Sequence, residues 1–127
     1  MVDDDPDDLF ILRRLLGKAG IKNKTVAFED PKAAMAHLVA EIANGDTLYL
    51  PCVIFTDLHM PRVSGFEFTA WIRAQPALAK STVIMVSSSE IPEDRGRAVE
   101  AGAKHFLLKY PPASVLQRLM AEAHCGG

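Results

Sequence analysis

Asp57 stands between an apolar run, Val53-Ile54-Phe55-Thr56, and a loop that carries Pro61 and Gly65. A short β-branched and aromatic run bounded by turn residues is the pattern of a strand buried on both faces. Its carboxylate therefore sits where such a strand ends, the edge at which open α/β sheets bind ligands. Alone, Asp57 reads equally well as a turn residue. Other polar residues also close apolar runs: Asp3 and Asp4 behind Met1-Val2, Ser87 behind Thr82 to Val86, and Lys109 behind His105 to Leu108. Gathered on one edge, the three carboxylates repel one another unless a cation joins them. Magnesium (or manganese) suits such a place, because magnesium accepts one or two carboxylates, keeps waters and leaves room for a phosphate. The Lys109 ammonium and the Ser87 hydroxyl are both donors to phosphoryl oxygens. A carboxylate nucleophile, a cation, an ammonium and a hydroxyl are the parts of a phosphoryl-transfer site with an aspartyl-phosphate product.

These residues meet only if the elements between them place them so. Asp5 is a good N-cap and Pro6 suits the first helical position. Leu9, Leu12, Leu15 and Leu16 then recur at helical spacing, and Gly20 ends the helix. Thr25 to Phe28 reads as a short second strand. Asp30-Pro31 opens a second helix that closes near Gly45, and Leu48 to Pro51 leads into the strand before Asp57. A third helix carries Phe66, Phe68, Trp71 and Ile72 and stops before Pro76; Trp71 on that stripe is a packing residue. Pro92 starts a fourth helix to Gly102, and Ser114 to His124 forms a last one with Val115, Leu116, Leu119 and Met120 facing in. Strands and helices alternate five times, which implies a parallel sheet with helices on both faces. Five units cannot close an eightfold barrel. The expected fold is α/β, a doubly wound five-stranded parallel sheet with five helices. Its first strand is short, since only Met1 and Val2 precede the acids and a typical strand has about five residues. Either residues upstream are missing or that strand is unusual.

The 127 residues have room for one domain, 1–127, with a full core. A hydrophobic share of 49% and a net charge of −2 give no sign of a nucleic-acid or membrane surface. The apolar runs fall short of a membrane span, and the acidic start is unlike a signal peptide. Cys52 and Cys125 lie far apart without partner spacing, so a reduced cytoplasmic chain with Cys52 in the core is expected. His37, His59, His105 and His124 show no zinc-ligand spacing and read as surface or rim residues.

The pieces Val2-Asp3-Asp4, Thr56-Asp57-Leu58-His59-Met60-Pro61 with Gly65, Val86-Ser87, and Gly102-Ala103 followed by Phe106 and Lys109 resemble the receiver domains of two-component response regulators. The resemblance covers nearly the whole chain in the family's order and implies the flavodoxin-like strand order 2-1-3-4-5. It implies that Asp57 accepts a phosphoryl group from a phosphohistidine on a sensor kinase or a histidine phosphotransfer protein. Asp4 would be the principal metal ligand, Asp3 would assist through water, and His59 would offer its backbone carbonyl. Ser87 and Lys109 would hold phosphoryl oxygens, Phe106 would be the switch aromatic, and His59 and Ser89 would tune attack of water. Output would pass through the fourth helix, fifth strand and fifth helix, with Tyr110 exposed as an anchor for a downstream protein. Such a domain is no enzyme beyond its own phosphorylation and dephosphorylation.

Where the family usually has proline after its lysine, often with a cis peptide, this chain has Tyr110. A cis bond before a non-proline costs roughly 2.5–4 kcal/mol, so a trans Lys109–Tyr110 peptide is expected. The chain ends at Cys125-Gly126-Gly127 without an effector domain, so output goes through another protein or the domain is cut from a longer chain. Three other readings compete. A pseudo-receiver would keep the fold without phosphorylation. A haloacid-dehalogenase-like phosphotransferase would use Asp3 as nucleophile and Asp5 as acid, but Asp5-Pro6 looks like a helix start and Asp57 would have no task. A flavodoxin-like cofactor binder lacks the Ser/Thr/Gly phosphate cradle in its first loop.

Overall fold

The computed structural model describes residues 1–45 and 50–123. Five α-helices lie among them: α1 (Pro6–Lys18), α2 (Pro31–Asn44), α3 (Gly65–Arg73), α4 (Pro92–Ala101) and α5 (Ala113–Glu122). Three strands, β1 (Val53–Thr56), β2 (Thr82–Ser87) and β3 (His105–Leu108), form a parallel sheet in the order β1-β2-β3. They are the third to fifth of the five expected strands. The first two appear as single parallel bridges, Val2 to Phe28 and Val2 to Thr56. Val2 donates to the Phe55 carbonyl at 2.8 Å, and its own carbonyl accepts from Asp57 N at 2.8 Å, so the chain start lies beside β1. The lateral order is Phe28, Val2, β1, β2, β3, which is the expected 2-1-3-4-5. The stretch from Thr25 contributes one rung because Val2 is the residue that bridges it.

Local chemistry starts the helices where the sequence points. The Asp5 side chain accepts from Asp7 N at 2.9 Å and Asp30 accepts from Lys32 N at 2.9 Å, each ahead of a proline at the first helical position. Ser64 and Glu67 form a reciprocal capping box at α3. The strands then sort their side chains by alternation. Ile54, Val83, Met85 and Phe106 join the core beneath α2, α3 and α4, while Phe55, Ile84 and Val86 join the core beneath α1 and α5. Trp71 stacks on Phe68 with ring centroids 6.5 Å apart, the packing role expected of it.

Cys52 departs from expectation. It is half-buried and disulfide-bonded rather than a reduced core thiol. The fold brings the start of β1 to the end of α5, with Cys52 Sγ 3.5 Å from the Ala123 carbonyl oxygen, a proximity that sequence separation hides. His124 and Cys125 lie outside the described residues.

Gly65 fixes the turn that follows Asp57. Its N–H donates to the Leu58 carbonyl at 2.8 Å, and a Cβ there would fall 2.1 Å from the Asp57 carbonyl oxygen. Backbone against backbone leaves nothing flexible to yield. Gly65→Ala should therefore lower stability by about 1–3 kcal/mol, the usual cost of overpacking. A urea midpoint equal to that of the wild type would show that the loop moves freely.

Candidate functional site

The pairing of Val2 with β1 puts Asp3 next to Asp57, because both residues leave the same sheet edge one position beyond their last rung. Asp3, Asp4 and Asp57 each offer a carboxylate oxygen within 4.8 Å of the others. Asp3 is buried, Asp57 half-buried and Asp4 exposed, so the group opens to solvent on the Asp4 side. Lys109, one residue past β3, reaches across this edge. Its Nζ lies 2.8 Å from Asp3 Oδ2, 2.6 Å from Asp8 Oδ2 and 3.4 Å from Asp57 Oδ1. Three carboxylates thus meet one ammonium, with Asp4 beside two of them, and hard oxygen donors with surplus negative charge fit a small divalent cation.

Burial raises the Asp3 pKa from 3.8 to about 6, against the hydrogen bonds from Lys109 and Asp5 N and with some help from the Asp57 charge. Asp57 is also raised, again by burial, although the Leu58 N–H and Lys109 oppose it. For Lys109 burial disfavours the charge, but Asp3, Asp8 and Asp57 outweigh it and push the pKa above its ordinary value. Asp8 goes the other way: burial raises it, and the hydrogen bonds from Lys109 and Tyr110 more than reverse that.

Residues 1–121 match the family described as response regulator receiver domain. The chain belongs to that family. It is 31% identical over 121 residues to two-component response regulator ORR1 of Oryza sativa subsp. japonica, covering 94% of this chain and 52% of the relative. It is 35% identical over 82 residues to a gliding motility regulatory protein of Myxococcus xanthus, covering 60% of this chain and 11% of the relative. This receiver domain therefore spans about half or less of the length of these relatives. The signal receiver domain of a signal transduction histidine kinase from Syntrophus aciditrophicus superposes with a TM-score of 0.76 at 26% identity, covering 98% of this chain and 87% of that one. A two-component response regulator from Cytophaga hutchinsonii gives 0.83 at 23% identity over 97% and 92%, a likeness of fold.

The remaining residues singled out in the sequence of this receiver domain divide between two places. Ser87 is buried at the end of β2, where its Oγ accepts from Ser89 N at 3.1 Å. Phe106 is buried in the core between sheet and α4, with the Arg95 guanidinium 5.4 Å from its ring centroid. The Tyr110 ring is half exposed as expected, but its hydroxyl is tied inward, donating to Asp8 Oδ1. The Lys109–Tyr110 peptide, expected trans, is cis. The expectation weighed the bond alone, whereas both side chains end on Asp8, an acceptor 101 residues from Lys109 that no local rule contains.

Asp8 and Asp94 were missed. Asp8 lies in the first turn of α1, where a side chain tilts back over the turn before it, toward the sheet edge. That tilt was the available signal. Asp94, in the first turn of α4, is 4% exposed and accepts from the Ser89 hydroxyl, and its Oδ2 lies 3.7 Å from His59 Nε2. Nothing in the sequence distinguished it from a solvated helix-start acid.

The raised Asp3 pKa makes a stability prediction. The folded state binds this proton more tightly than the unfolded chain does, so the contribution is complete below pH 3.8 and is lost as pH rises through about 6. Asp57 acts in the same direction. In cation-free buffer the receiver should lose roughly 1–1.5 kcal/mol through Asp3 between about pH 5 and about pH 7.5. Asp3→Asn should remove that slope. Parallel urea-midpoint profiles for the two proteins would refute the assignment.

Proposed function

We propose that Asp57 accepts a phosphoryl group from the phosphohistidine of a sensor kinase or histidine phosphotransfer protein. The observation that carries this is the position of the Asp57 carboxylate, which belongs to the acid cluster and lies 3.4 Å from Lys109. An Asp57 oxygen attacks phosphorus in line, the P–N bond of the phosphoimidazole breaks, and a P–O bond forms. Magnesium (or manganese) held by Asp4, Asp3 and Asp57, with the His59 backbone carbonyl, would supply charge neutralisation at the phosphoryl oxygens. Lys109 is already poised with its ammonium on this edge, and Ser87 accepts a hydrogen bond, which leaves its O–H to give. The dehalogenase-like alternative loses support, because Asp5 Oδ1 caps α1 and Asp3 is engaged by Lys109 and Asp5 N. The pseudo-receiver alternative is disfavoured because the acids Asp3, Asp4 and Asp57 stand together with Lys109 beside them.

The domain would span 1–127. No helix among the described residues is long and apolar enough to cross a membrane. Output goes to a downstream protein and not to nucleic acid, through α4, β3 and α5. That face carries exposed apolar side chains at Ile91, Val99, Leu108 and Tyr110. Phe106 is the switch residue beneath it. It is buried and, unlike tyrosine, has no hydroxyl needing a partner.

Incubation with acetyl phosphate and magnesium should add one phosphoryl group by intact mass, and Asp57→Asn should abolish it. Label retained at Asp3 in that variant would favour the dehalogenase-like chemistry. Asp4→Asn should weaken magnesium binding in a thermal-shift titration; the wild type should gain about 2.7 kcal/mol at a hundredfold excess over Kd. For the switch, relaxation-dispersion NMR should show Phe106 exchanging between two states whose populations change with a phosphoryl mimic at Asp57. One rigid Phe106 conformer, identical with and without the mimic, would eliminate it.

A further inference from the structure

We infer that Asp94 is a positioning residue that sets the lifetime of the phosphoryl group, by engaging Ser89 and His59 on its own carboxylate. The inference rests on Asp57 being the phosphoacceptor. Ser89 and His59 stand two residues beyond Ser87 and Asp57, on the two loops that flank the site. Both approach a single atom, Asp94 Oδ2: the Ser89 hydroxyl donates to it, and His59 Nε2 lies 3.7 Å from it. The Asp94 side chain is 6% exposed and the His59 side chain 67%, so the carboxylate is held within the fold while the imidazole stands at the surface beside it. The backbone of Ser89 is engaged too, since its N–H donates to Ser87 Oγ at 3.1 Å, while its Oγ accepts from Ile91 N at 3.3 Å. One buried carboxylate in the first turn of α4 therefore ties together both loops around the phosphoacceptor.

Loss of the phosphoryl group requires water to bond to phosphorus as the P–O bond to Asp57 breaks. The electron pair returns to the carboxylate, and inorganic phosphate leaves with both protons of the water. A hydroxyl or imidazole free to orient that water speeds the step. Held on Asp94, neither group is free.

The test is the decay of label on purified protein, followed by intact mass after removal of acetyl phosphate. Asp94→Ala should shorten the lifetime about three- to tenfold, the rate equivalent of one ordinary hydrogen bond. Asp94→Asn keeps an acceptor for Ser89 but loses the charge facing His59, so its effect should be smaller. In the His59→Ala, Ser89→Ala background, adding Asp94→Ala should change nothing, because Asp94 acts only through those two groups. A general loosening of α4 would instead accelerate decay equally in both backgrounds, which would overturn the inference. An unchanged lifetime in Asp94→Ala would do the same. Should Asp94→Ala not fold, the comparison is Asp94→Asn with and without His59→Ala, and acceleration must vanish without the imidazole. A wild-type protein that takes no label overturns the phosphoacceptor reading and this inference with it; labelled protein with unaltered decay overturns only the inference.

Discussion

One ammonium holds the functional edge together. Lys109 Nζ is within 2.8 Å of Asp3 and 2.6 Å of Asp8, and 3.4 Å from Asp57, so it joins the start of the chain, α1 and the end of β1 to the end of β3. Without it, mutually repelling carboxylates would face one another in a partly desolvated place, and each would have to be protonated or move apart. With it, the acids remain in surplus. The edge holds together and keeps a surplus of negative charge, which suits a small divalent cation. Replacing a buried partner of this kind removes more than one bond, because the carboxylates it leaves are uncompensated.

The ammonium can do this only because the packing is strict. Alternating residues of β1 and β2 fill two separate cores, and a slip of one residue would exchange them, turning Asp57 and Ser87 away from the edge. Gly65 adds a backbone constraint on the same side. Its N–H on the Leu58 carbonyl folds the loop over Asp57, and only the absence of a side chain permits that approach.

The sequence revealed the parts of this structure that obey local rules. Asp5-Pro6 and Asp30-Pro31 announce helix starts by capping chemistry, and the apolar runs before Asp57 and Ser87 announce buried strands; both are where expected. Asp57, Lys109 and the acid pair were visible because each sits one step beyond such a run. What stayed hidden depends on distant partners. Asp8 and Asp94 look like any acid in a first helical turn until the fold places Lys109, Ser89 and His59 against them. The cis peptide at Lys109–Tyr110 and the disulfide at Cys52 also differ from what their neighbours in sequence suggest.

Under the proposed function, a phosphoryl group arriving at Asp57 brings more negative charge to an edge already rich in it. Lys109 then has a new partner competing with Asp8, and Asp8 is also the acceptor for the Tyr110 hydroxyl. Any weakening of Lys109 on Asp8 therefore alters the charge that Tyr110 bonds to. On the other side of the site, Ser87 carries the Ser89 N–H, and Ser89 carries Asp94 in the first turn of α4. The two chains of contacts leave the site in different directions, one through β3 and one through α4. Yet α4 packs on β3, so they arrive at adjacent elements. Packed elements resist continuous deformation and pass between discrete arrangements instead. A change that either chain begins is thus shared by the surface carrying Ile91, Val99, Leu108 and Tyr110, and a partner bound there reads both at once.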